Sequence, residues 1–138
     1  MKKIVPEKLY EVKHGLKPLK HKPCFYFVVK NDFPEYIGTY KMSPRGWGNG
    51  YVAINPNHPL FGKDYEDGLE LDVHGGITYA DYGKNLVGSV PELIGYENWW
   101  VLGFDTNHFS DTPERWPKER VIEEAKSLLE QIEFLGES

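Results

Sequence analysis

Asp105, His108 and Asp111, spaced three apart in GFDTNHFSD, put two carboxylates and an imidazole in one short segment. Those residue types at that spacing suit two chemistries. As metal ligands they offer hard and borderline donors for zinc, manganese or iron. As an acid–base unit, a carboxylate beside an imidazole fixes its tautomer and raises its basicity near neutral pH. Asp111 has a competing structural use. With Thr112 it precedes Pro113 and Glu114, a pattern that caps a helical turn with proline at its first position. Asp105 lies too early for that cap, so it is the carboxylate expected to orient an imidazole or join a metal.

His74, in LDVHGGITY, is the second imidazole. Gly75 and Gly76 behind it supply two bare amides suited to a phosphate or carboxylate oxygen, and Tyr79 completes this group of ligand contacts. A histidine at a strand end is also commonly a satisfied structural group. Its partnership with His108 decides between the two: both imidazoles and Asp105 sit at strand ends, and they form one site if those strands are neighbours. His58, in NPNHPLFGKDY, reads as part of a lid over that site. Arg45 and Trp47, in SPRGWGNG, read as an anion-and-ring clamp, because a base stacked on an aromatic contributes roughly 1–3 kcal/mol. The competing reading folds Trp47 into the core.

The elements that position these residues follow from patterning. CFYFVVK is aromatic and β-branched, as strands are, with NDFPEY as a turn and YIGTYK as its expected hairpin partner. SPRGWGNG reads as a loop and GYVAIN as a short strand. In LELDVHGGITYA, Leu69, Leu71 and Val73 alternate with Glu70, Asp72 and His74, which predicts a strand with one wet face, bent at the glycine pair. WWVLGFD lacks alternation and is expected to be a central strand covered on both faces, with Trp99 and Trp100 on opposite sides. In PKERVIEEAKSLLEQIEF, Val121, Ile122, Ala125, Leu128, Leu129 and Ile132 recur at steps of three and four, the stripe of an amphipathic helix. Strands followed by one helix over 117–135 predict a single α+β domain. It has a mainly antiparallel sheet over 24–111, long functional loops and a basic irregular lead-in over 1–23.

Composition narrows the function classes. The 138 residues suit one core, and 14% aromatic content exceeds what such a core needs, so some rings are expected to line a pocket or a dimer seam. One cysteine, Cys24, rules out an internal disulfide and a cysteine-based zinc site. The net charge of -5 divides into +6 over residues 1–30, all from lysine, and -11 over the rest. Nucleic-acid surfaces mix Arg with Lys, and an acidic remainder repels a polyanion, so DNA is not the expected partner. Apolar runs too short to span a bilayer point to a cytoplasmic protein. Walker, dinucleotide-fingerprint, zincin and serine-hydrolase motifs do not occur in the chain.

GYVAINPNHPLFGKDYED, DVHGGITYA and WWVLGFDTNHFSD, in that order, resemble a group of small proteins found largely in bacteriophage and prophage genomes. The shared pattern is HP-x-x-G, VHGG-[IL]-T-Y and W-x-x-GFD-x-x-H-x-x-D. The resemblance implies an accessory protein acting in the host cytoplasm, with His58, His74, Asp105, His108 and Asp111 inside the shared motifs. The leading expectation is a binder of a nucleotide-like or phosphorylated small molecule, sequestering a host immune signal. A hydrolase or phosphodiesterase using His108, His74 and Asp105 is the second. An inhibitor of a host protein is the third. No cofactor is required by the first reading, and a divalent metal at Asp105 and His108 belongs to the second.

Overall fold

The computed structural model describes residues 24–31, 36–42, 45–64, 67 and 69–136. The lysine-rich lead-in expected over 1–23 lies outside the described residues. Four strands form an antiparallel sheet in the order β1 (Cys24–Lys30), β4 (Gly48–Ile54), β6 (Trp100–Phe104), β5 (Tyr79–Tyr82). A two-stranded ribbon, β2 (Tyr36–Ile37) and β3 (Tyr40–Lys41), stands apart, and one helix, α1 (Lys118–Gly136), ends the described chain. The chain is an α+β domain.

β1 is buried on both faces because its side chains alternate between two apolar layers. Cys24 and Val28 face α1, whereas Phe25, Phe27 and Val29 face the opposite side. β4 and β6 repeat the division, so the unbroken apolar run WWVLGF follows from its place between β4 and β5 with both faces covered. Trp100 packs on the α1 side and Trp99 on the other, as expected of adjacent strand residues. Val121, Ala125, Leu128 and Ile132 form the fully buried stripe of α1, with Ile122 and Leu129 half-buried beside it. The opposite face is covered by Leu86, Val87, Val90, Leu93 and Tyr96, from irregular chain containing two short 3₁₀ turns. Burial pushes the Cys24 thiol up to about 12, so it behaves as an inert apolar side chain.

Three expectations are corrected. YIGTYK does not pair with β1: β1 pairs with β4 from Cys24 opposite Ile54 to Lys30 opposite Gly48, and Tyr36, Ile37 and Tyr40 are exposed in their own ribbon. Pairing with the buried VAI of β4 covers far more apolar surface than pairing with that polar, turn-rich segment. Gly48 to Gly50, expected in a loop, belong to β4; Gly50 lies against the Phe104 ring and Ala125, where a side chain would collide. Residues 69–78 form no strand. The Gln131 side chain bonds both the amide and the carbonyl of Asp72, at 2.7 and 2.8 Å, taking the place of a neighbouring strand, and the chain turns at His74 and Gly75.

Leu128→Ala, at a fully buried position against the sheet, is expected to cost about 2–5 kcal/mol in urea unfolding, and the exposed Lys126→Ala under about 0.5 kcal/mol. Equal losses would contradict this packing.

Candidate active site

β5 and β6 are antiparallel neighbours, with Tyr79 opposite Gly103, so the chain entering β5 lies beside the chain leaving β6. His74 stands five residues before β5, and His108 four after β6. Sheet topology therefore brings them together: their ring centroids are 4.9 Å apart, nearly perpendicular.

Between them lies Asp111, only 1% exposed. Its Oδ1 accepts from His74 Nε2 at 2.9 Å, and its Oδ2 accepts from His108 Nδ1 at 2.7 Å and from the His108 amide at 2.9 Å. An ionised carboxylate only accepts, so each of these nitrogens carries the shared proton. Both contacts thereby set which nitrogen of each ring faces Asp111, and the His108 Nε2 edge lies against Gly75. Burial pushes the Asp111 carboxyl up, but the hydrogen bonds from His108 and His74, with the charge of His74, outweigh it and hold the group below the usual carboxylate range.

Each imidazole is also held from behind. The His74 amide donates to Glu124 Oε2 of α1 at 2.7 Å, and its ring lies 4.1 Å from the Trp116 ring centre. The Arg120 guanidinium sits 4.0 Å over that same Trp116. His108 packs against Gly75, where any β-carbon would meet the imidazole edge; Gly75 also has φ +71°, which favours glycine. The HGG motif is thus a packing requirement: the first glycine lets His108 approach. The two side chains remain 26% and 37% exposed, so each ring can meet a ligand while Asp111 stays sealed.

Asp111, then, orients both imidazoles, the role expected of Asp105. The Asp105 Oδ1 lies 3.8 Å from His108 Nδ1, outside hydrogen-bond range, and accepts the Asn107 amide at 2.9 Å. Nor does Asp111 cap the following turn. Thr112 does, its Oγ1 accepting the Arg115 amide at 3.1 Å.

His58 is no lid. It is 5% exposed, with Nε2 at 2.8 Å from the Ile132 carbonyl and Nδ1 accepting the Leu60 amide at 3.0 Å. Ile132 is eight residues along α1 from Glu124, or about 12 Å of helix. The expected pair of bare amides is not available either, because the Gly76 amide donates to the Val73 carbonyl at 2.8 Å. Trp47 packs into the core, its amide donating to the Trp116 carbonyl at 2.8 Å, and Gly46 beside Arg45 is pressed against Thr106 and Trp116. That loop supports Trp116, and so His74, from below. Tyr79 lies on the sheet face away from α1, edge-on to Tyr51, and burial, then the charge of Asp81, pushes its phenol up to about 12.

Sequence reasoning missed Glu124, Trp116, Arg120 and Phe109. The first three lie in α1 or just before it and have no distinguishing pattern in the sequence. Phe109, fully exposed beside His108, carried a signal: a large ring at the tip of the chemistry-bearing segment. A groove of about 450 Å³ between Glu70 and the last turns of α1 holds none of these groups.

No known protein family, curated protein or solved structure matches the chain.

Two predictions test the geometry. Gly75→Ala is expected to cost about 1–3 kcal/mol and shift the His108 ring resonances, whereas Gly76→Ala, with open space around it, costs only about 1–2 kcal/mol of backbone strain and leaves them in place. Asp111 is the pH-dependent element. A carboxyl whose folded pKa is depressed contributes stability above its unfolded value, and that contribution disappears as pH falls through the folded one. Asp111→Asn is therefore expected to lose about 1–3 kcal/mol at neutral pH, with the gap from wild type closing below about pH 4 in urea titrations. A gap that widens in acid would overturn the assignment.

Proposed function

We propose that the protein is a small hydrolase whose reaction centre is His74–Asp111–His108, acting on a phosphodiester or similar phosphorylated small molecule. One observation carries this reading: a single buried carboxylate bonds one nitrogen of each of two partly exposed imidazoles. With one ring protonated, the pair presents a base and an acid a few ångströms apart. His108, the more exposed, takes the proton of an attacking water at Nε2. His74, as imidazolium, gives its Nδ1 proton to the departing oxygen. Asp111 balances the charge in both steps. Such proton transfers contribute typically 10²–10⁴-fold in rate. Phe109 offers a ring for stacking beside His108, which suits a nucleotide-like substrate. In the setting implied by the motif resemblance, that substrate is a signal of the bacterial host.

Capture without turnover is the second reading, favoured by Phe109 but weakened because the Gly76 amide is already bonded to the Val73 carbonyl. Incubation with bis(p-nitrophenyl) phosphate and with cyclic and linear dinucleotides separates the two. Turnover is expected, reduced about 10²-fold or more by His108→Ala and by His74→Ala, with Phe109→Ala raising KM at little cost in kcat. Nucleotides retained at low micromolar affinity and recovered intact would establish capture instead. Neither binding nor cleavage would sink both readings.

A further inference from the structure

The charge around the site opposes the substrate that its imidazoles suit. Asp105, Asp111 and Glu124 place three carboxylates around His74 and His108, with the Arg120 guanidinium stacked on Trp116 beside them. With both rings neutral this local set carries two net negative charges, which repel an anion within a Debye length of about 8–10 Å. A divalent cation cancels them. We propose that His74, His108 and Asp111 are the ligands of a divalent transition metal ion, with Asp105 as the adjacent fourth oxygen.

The donor set fits. Two imidazole nitrogens and one carboxylate oxygen form the borderline combination that zinc, manganese, iron and cobalt share, and the three residues' ligand atoms lie within 4.8 Å of one another. Bonds of about 2.0–2.1 Å at tetrahedral angles put ligand atoms about 3.3 Å apart, so the 2.9 Å pair of His74 Nε2 and Asp111 Oδ1 must open by about 0.4 Å, and any pair as wide as the 4.8 Å limit must close by about 1.5 Å. Asp111 keeps a role for each oxygen: Oδ1 coordinates, while Oδ2 continues to accept the His108 amide. Asp105 Oδ1, now 3.8 Å from His108 Nδ1, approaches the ion from the exposed side. The protons between Asp111 and the rings are the ones the ion displaces. In a neutral ring the proton moves through solvent to the other ring nitrogen, and an imidazolium releases one proton to the medium.

This inference rests on the hydrolytic reading for its chemistry, since the ion takes over water activation from His108, but not for its measurement. The full chain, stripped with a chelator and dialysed, is titrated with Zn²⁺ by calorimetry and with Co²⁺ by visible absorbance. One equivalent is expected to bind at micromolar Kd or tighter, with intense cobalt d–d bands of a low-coordinate nitrogen–oxygen site. Affinity should fall at least 10-fold in His74→Gln and His108→Gln. Independently of any variant's folding, the wild type supplies a second readout: Co²⁺ should broaden the ring resonances of His74 and His108 before that of His58. No binding at 100 μM metal, or binding that leaves those two rings unperturbed, overturns the proposal. Metal binding without turnover would refute the hydrolytic reading alone, and turnover persisting in chelator without metal binding would refute the metal alone.

Discussion

A buried carboxylate shared by two imidazoles is the interaction on which the candidate site depends. Asp111 is sealed from water, and an ionised group in that position is tolerated only when hydrogen bonds replace its hydration. Three donors do so, two from His108 and one from His74. Their attraction is large enough to override the burial that acts against the charge, since the carboxyl ends below its usual range. The arrangement binds in both directions: the rings keep the carboxylate ionised, and the carboxylate fixes which nitrogen of each ring faces it.

The fold meets that requirement with short-range devices attached to one long-range fact. The long-range fact is the β5–β6 pairing, which sets the approach to one strand beside the exit from the other. Everything else is local. Gly75 gives His108 room, Glu124 fixes the amide of His74, and Trp116 provides a flat surface for its ring. Trp116 is in turn held by the backbone of Trp47, and Gly46 is the residue small enough to let that strand-entry segment press against Thr106 and Trp116. The glycine-rich segment thus serves the site through a second layer, where sequence reasoning expected direct ligand contact.

Much of the architecture was legible in the chain because it rests on periodicity. The 3.6-residue stripe of α1 and the unbroken apolar run of β6 each follow from which faces are covered. The misreadings share a different cause. Residues 69–74 alternate as a strand does, and their side chains do point alternately in and out, but Gln131 satisfies the backbone at Asp72 and no strand partner is present. Alternation reports which side is buried, not where the hydrogen bonds go. At the site, His74 and His108 were identifiable as residues that topology would join, yet the choice of Asp111 over Asp105 turned on a difference of 2.7 against 3.8 Å to one nitrogen. Equal sequence spacing on either side of His108 contains no information about that difference. Only the reversal of the chain at Phe109 and Ser110 decides it.

His58 shows the same limit from the other side. In sequence it shares two features with His74: a glycine close by and a place inside a shared motif. Its two ring nitrogens are nevertheless both consumed, one by a helix carbonyl and one by a local amide, so no nitrogen remains for chemistry. At His74 and His108 only one nitrogen of each ring is consumed, and by a carboxylate. That contrast separates a structural histidine from a candidate catalytic one more sharply than motif membership does. The chemistry proposed for this protein therefore follows from the identity of the group bonded to each ring, a carboxylate at His74 and His108 and main chain at His58.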